Sequence, residues 1–254
     1  MKKLYEKSEI TFAILCIVVY TAGMGTLRST FGLDSLWQML GLIVFSAAIF
    51  LFVKGNGLTE KYGLAGWAKN SGTMLWFIPL WMISCLNLFS GFGPDYPVPG
   101  LIYAAVSMTL VGFAEELLFR GFLFKAMLKD GSVKTAVIVS SVTFGLGHIL
   151  NLFTGQNLTE TLGQVVFAVA VGFVFTLAFY KSGSLLPGIL AHSFIDATSV
   201  FASDEGSQLM NIILHVVFIV ISAAYCIYLA KHVETPANNR VDMQTGSAPG
   251  PRES

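Results

Sequence analysis

The sequence is short of charge. Only 12% of its 254 residues are Asp, Glu, Lys or Arg, about half of the roughly one quarter that a soluble domain uses to coat its surface. Water is therefore not its main solvent, and a mean hydropathy of +0.70 agrees. The formal net charge is zero, which argues against nucleic acid as a partner. Cysteine is scarce. Cys16, Cys85 and Cys226 have no paired spacing, so they read as small buried hydrophobes rather than disulfides or ligands. There is no His-Glu-x-x-His and no internal repeat. The lack of a repeat disfavours a transporter built from inverted halves.

What the chain does have is long apolar runs. A spanning helix needs about 20 mostly apolar residues. Eight stretches qualify: Ile10–Leu27, Leu36–Val53, Thr73–Phe89, Ala104–Lys125, Ala136–Asn151, Leu162–Tyr180, Leu185–Ala202 and Leu209–Lys231. This predicts an all-α, polytopic membrane helix bundle. With the N-terminus cytoplasmic, 14 Lys and Arg fall inside and only Arg28 outside. The positive-inside rule then predicts eight spans with both termini cytoplasmic. The N-terminus is read as an uncleaved first helix rather than a signal peptide.

The spans group into helices 1–3 over residues 1–99, a core of helices 4–7 over 100–203, helix 8 over 204–232, and a tail over 233–254. The tail has almost no large apolar residues and is expected to be disordered and cytoplasmic. The linker 54–72 mixes lysines with Leu, Tyr and Trp, and predicts a short helix lying on the cytoplasmic face. Residues 121–129 predict a similar interfacial continuation of helix 4.

Charge at membrane depth is costly, so the few ionisable residues inside spans mark a bundle interior or a wet cavity. "VGFAEELLFRGFL" (111–123) carries Glu115, Glu116 and Arg120. Glu116 and Arg120 are four apart and can pair on one face. Glu115 points about 100° away and has no partner in its own helix. "FGLGH" contributes Phe144 and His148, and "LLPGILAHSFID" contributes His192 and Asp196. Measured at about 1.5 Å per residue from the inner helix ends, Glu115, His148 and His192 all fall near mid-membrane. Small residues nearby, among them Gly112, Gly121, Gly145, Gly147, Gly188 and Ala191, predict close helix approach.

A carboxylate in a dry pocket can act as a base on water, and an imidazole can orient that water or donate to an oxyanion. Two His and a Glu are also a ligand set for catalytic zinc. Both routes lead to hydrolysis.

In that order and on those helices, the three motifs resemble the CPBP intramembrane protease family. It includes type II CAAX prenyl endopeptidases and bacteriocin-processing or immunity proteins (the Abi domain). The resemblance covers about residues 100–200. It implies Glu115 as general base, His148 as co-holder of the water, and Glu116 fixed by Arg120 as the orienting group. His192 and residue 196 would stabilise the oxyanion. Prenyl-protease members often have Asn at the last place and this chain has Asp196, for which the favoured role is holding His192 in one tautomer.

The resemblance leaves the metal open. A metal-free, glutamate-dependent hydrolase is favoured, with Glu115, His148 and His192 as the ligands if zinc is used. The expected protein is a multi-pass endopeptidase of a cell membrane, in the bacterial case the cytoplasmic membrane. Its expected substrate is a peptide or membrane-protein segment. The alternatives are a non-catalytic immunity or membrane binding protein, and a proton-coupled transporter. His215 is expected to be structural. Asn157-Leu-Thr matches a glycosylation sequon of a kind common by chance.

Overall fold

The computed structural model describes residues 1–89, 91–203, 208–236 and 239. It is an all-α helical bundle. Among the described residues there is no β-strand, only one isolated antiparallel bridge between Phe92 and Ala202. The helices are α1 (Lys2–Lys7), α2 (Glu9–Phe31), α3 (Leu36–Gly55), α4 (Ile78–Ser84), α5 (Gly100–Glu115), α6 (Lys125–Asp130), α7 (Val133–Gly147), α8 (Leu158–Ser182), α9 (Leu186–Ser199) and α10 (Gln208–His232). Serine caps α2, α3 and α7 and asparagine caps α8. Ser8, Ser35, Ser132 and Asn157 each accept the backbone N–H three residues on, which satisfies one donor the helix leaves free. Asn157, the sequon residue, is thus a helix cap.

Five helical stretches are long and apolar enough to cross a membrane: Glu9–Phe31, Leu36–Gly55, Gly100–Lys129, Val133–Phe153 and Leu158–Ser182. Leu75–Ser84 and Val216–His232 are shorter apolar helices. The stretch expected to be a third span, Thr73–Phe89, is not one helix. Leu75, Trp76 and Phe77 stand at φ of 53°, 51° and 59°, a left-handed region costly for residues with a Cβ. The 7-residue α4 starts only after them, with Pro79 in its first turn. Side chains hold the break in place. Tyr225 donates to the Met74 carbonyl at 2.8 Å, Tyr228 to Thr73 at 3.0 Å and Trp81 to Trp76 at 3.2 Å. The expected seventh span is the 14-residue α9, about 21 Å long against a hydrocarbon core of about 30 Å.

The linker 56–72 forms turns rather than the expected surface helix. It wraps the junction of α8 and α9. Leu185 N–H donates to the Gly63 carbonyl at 2.9 Å, Ser184 Oγ to Gly66 at 2.8 Å and Asn70 to the Lys181 carbonyl at 2.8 Å. Gly63 has φ +65°, and a Cβ there would stand 2.7 Å from the Gly183 carbonyl oxygen, so both backbone angle and space require glycine. Tyr62 is buried beside it. Burial and its hydrogen bond to Tyr5 push the Tyr62 phenol well above its ordinary pKa. The tail expected from 233 begins with contacts: Val233 and Asn239 are buried, and Lys125 donates to Asn239 Oδ1 at 2.6 Å. Residues 237, 238 and 240–254 of that tail lie outside the described residues.

Two glycine contacts fix how the core helices meet. A Cβ on Gly112 of α5 would land on the Ser193 backbone nitrogen of α9, and one on Gly145 of α7 would land on Val169 of α8. Gly147 has nothing within 4 Å, so that position is not a close approach.

Candidate active site

The helix that starts as α5 changes pitch at the two glutamates. Residues Glu116–Phe124 are π-helical, and all nine are buried. A π-helix bonds i to i+5 and is found chiefly as short insertions at functional sites. Ser140 of α7 donates to the Phe119 carbonyl at 2.9 Å, giving that group a partner from outside its own turn. Glu115 is the last residue before the change and Glu116 the first within it.

The two carboxylates have different surroundings. Glu116 and Arg120 are both fully buried, with Nη1 2.9 Å from Oε1. The alignment falls short of a good hydrogen bond, and Glu116 Oε2 and the guanidinium nitrogens have no hydrogen-bond partner among the described residues. Arg120 instead lays its Cζ 4.0 Å from the centre of the Phe144 ring, a cation–π contact. Gly188 of α9 leaves room for Glu116, because a Cβ there would be 3.1 Å from Oε2. Glu115 is not fully buried; its side chain keeps 15% exposure. Tyr20 of α2 donates its hydroxyl to Glu115 Oε1 at 3.0 Å.

His192 joins the two. Its Nδ1 is 3.0 Å from Glu116 Oε1, while its Nε2 is 3.4 Å from Asp196 Oδ2 and 3.8 Å from Glu115 Oε2. Both ring nitrogens therefore face carboxylates. The ring packs between Phe144 and Phe175, each 5.5 Å away centre to centre. The partner that engages Nδ1 is Glu116. Asp196 stands one turn along α9 at the other nitrogen.

His148 ends α7 and opens a tighter 3-10 segment, His148–Thr154. It is placed against the same Phe144, ring centres 5.5 Å apart. With Tyr20, Glu115 and Asp196 it lines a cavity of about 800 Å³. Glu116, Arg120 and His192 are not in that lining. All six residues singled out from the sequence thus gather around Phe144 and His192, three on the cavity wall and three behind it. Tyr20 was not among them. A tyrosine in an apolar first helix carries no local signal, and its partner is 95 positions away. Among the described residues no three His, Cys, Asp or Glu side chains form a group that could hold a metal ion.

Residues 97–198 match the sequence model of the type II CAAX prenyl endopeptidase, Rce1-like family. That stretch belongs to the CAAX protease family. It runs from three residues before α5 to the last turn of α9, and it holds Glu115, Glu116, Arg120, His148, His192 and Asp196. No curated protein and no solved structure matches the chain. The apolar helices support a multi-pass membrane protein, and the Rce1-like segment supports a membrane protease.

Proposed function

We propose that this chain is an intramembrane endopeptidase in which Glu115 activates water. The observation that carries it is a contrast in exposure between neighbours, 15% for the Glu115 side chain and none for Glu116. Glu115 stands on the cavity wall, held by Tyr20 at 3.0 Å, while Glu116 is sealed behind it against Arg120 and His192.

A water in the cavity, between Glu115 and His148, gives a proton to Glu115 as its oxygen attacks the scissile carbonyl carbon. The carbonyl electrons move to oxygen, where His148 or the Nε2 end of His192 donates to the oxyanion. Collapse of the tetrahedral intermediate breaks the C–N bond, and the proton on Glu115 passes to the leaving amine. Glu116 fixes His192 through Nδ1, the arrangement by which a carboxylate sets an imidazole's tautomer and angle. Nε2 then sits between Asp196 and Glu115. One proton is needed there, on the ring or on Asp196, because two carboxylates and a bare nitrogen lone pair would repel. Donation to the oxyanion from this end uses that proton.

Cleavage of a peptide panel by the purified protein in detergent tests the proposal. The panel includes a prenylated CAAX peptide, and each peptide is run with and without a strong chelator and added zinc. Cleavage that survives chelation and is lost in Glu115→Gln supports it. Cleavage abolished by chelation and restored by zinc overturns the metal-free step, and undiminished cleavage by Glu115→Gln overturns the role of Glu115.

A further inference from the structure

The geometry points to a cavity entered from the end of the bundle opposite its lysines, so that the peptide segments reaching Glu115 are those presented on the non-cytoplasmic face. The substrate half of this statement rests on the protease proposal. The access half does not.

All eleven lysines of residues 1–231 belong to helix ends or linkers, and contacts gather these at one end. Lys61 of the linker and Lys129 of α6 both pair with Glu9 at the start of α2. Asn70 of the same linker bonds Lys181 at the end of α8, and Lys181 Nζ donates to the Val233 carbonyl after α10. Lys54 ends α3 and Lys134 begins α7. Among the described residues, Arg28, near the far end of α2, is the one basic residue at the other end. Arg120 is sealed at mid-bundle and does not count toward the loop charges, against the tally made from sequence. Removing it leaves the asymmetry strong, and the positive-inside rule makes the lysine end cytoplasmic.

Helices α2, α8 and α9 line the cavity with their other halves, while α5 reaches it with Met108, Val111 and Glu115 and the turn after it with Phe119. The lining takes Tyr20 to Arg28 from α2 (Glu9–Phe31), Glu160 to Phe167 from α8 (Leu158–Ser182) and Ile195 to Ser199 from α9 (Leu186–Ser199). No residue of the linker 54–72, of 120–134 or of 168–192 lines it. Its floor is Phe119 and Phe144, both buried, and its rim includes the exposed Arg28 and Glu160. Below the floor the bundle is filled. Phe12, Tyr62, Phe122 and Phe124 are each no more than 2% exposed, with Tyr62 and Phe12 packed edge-on to Phe122 at 5.1 and 5.2 Å. A volume of about 800 Å³ is within the roughly 300–1,000 Å³ of ligand pockets. It accepts an extended peptide stretch, not a folded domain. Water for hydrolysis would arrive by the same mouth.

Cysteine labelling tests this without any cleavage assay, so its outcome is independent of whether the protein is a protease. Glu160→Cys marks the rim, Thr21→Cys the wall and Lys69→Cys the opposite end. Each is expressed in bacterial membranes and treated with a membrane-impermeant maleimide in right-side-out and in inverted vesicles. The rate is read as the increment over the parent chain, whose Cys16, Cys85 and Cys226 set the background. Glu160→Cys and Thr21→Cys are expected to label at least tenfold faster in right-side-out vesicles, and Lys69→Cys at least tenfold faster in inverted ones. Thr21→Cys labelled faster from inverted vesicles would overturn the proposed entrance. Exchanged sides for Glu160→Cys and Lys69→Cys would overturn the orientation. Thr21→Cys unreactive from both sides, in a sample where the other two react, would show a cavity closed to water and overturn the proposal equally.

Discussion

The lysine-bearing half of the bundle is filled and the other half is hollow, and the border runs between two adjacent residues. On the filled side, Glu116, Arg120 and His192 are buried among Phe144, Phe175 and the π-helical turn. On the hollow side, Glu115, Asp196 and His148 face the cavity. On the proposed mechanism, a single peptide bond separates a carboxylate that holds the site from one that meets substrate. Holding a buried ion pair and doing chemistry need opposite surroundings, the first without water and the second with it. The change of helical pitch at Glu116 is where one helix supplies both.

The contrast breaks most visibly at Glu115. Glu115→Gln keeps size and the Tyr20 contact but removes the base, and cleavage should fall by about 10³-fold or more while the melting temperature in detergent stays within a few degrees. The complementary change is Arg120→Met. Leaving Glu116 buried without its cation should cost about 3 kcal/mol or more of stability, read as a large drop in melting temperature before any assay of activity. If Glu115→Gln unfolds the protein and Arg120→Met does not, the two glutamates have been assigned to the wrong halves. Gly112→Ala is the next in size. Its methyl would collide with the Ser193 backbone, so α5 and α9 must part, at about 1–3 kcal/mol. Glu115 and His192 move with those helices, and activity should fall along with stability.

Asp196→Asn separates two ways of placing the proton at His192 Nε2. The amide can donate at any pH but cannot be ionised. If Asp196 serves as a protonated donor, the variant stays active and loses the decline in rate that ionisation of Asp196 imposes as pH rises. If Asp196 serves as an anion beside a doubly protonated ring, the variant loses several-fold across the range. Full activity of Asp196→Asn at every pH, with an unchanged profile, would exclude the protonated-carboxylate role.

Much of this was legible in the sequence. Six polar residues at depth in an apolar chain had few places to go, and pairs four apart came out paired: Glu116 with Arg120 at 2.9 Å and His192 with Asp196 at 3.4 Å. The all-α class followed from apolar runs alone. What was not legible depends on partners distant in the chain. Nothing in "ELLFRGFLF" marks a π-helix, and the Ser140 that bonds its Phe119 carbonyl is 21 residues on. The left-handed turn at Leu75–Phe77 puts three large apolar residues where glycine is usual, and tyrosines of α10 more than 150 positions away hold it. The linker 54–72 has the composition of a surface helix. Its backbone is claimed instead by the α8–α9 junction.

Tyr20 gives the smallest effect and the sharpest view of that limit. Its ring is buried, and its hydroxyl reaches Glu115 Oε1 across the interface of α2 with the core. Tyr20→Phe removes only that hydrogen bond, worth about 1 kcal/mol net and somewhat more to a charged acceptor. In general, a carboxylate that accepts a donor holds a proton less tightly. Two effects then oppose each other: a looser Glu115 is a poorer-placed base, yet a stronger one. A loss of about 3- to 10-fold in kcat with KM unchanged would show that placement dominates. An equal or higher rate would show that Tyr20 restrains the base rather than aims it. Either result ties α2, which lies outside the family-matched stretch 97–198, to the chemistry of the core.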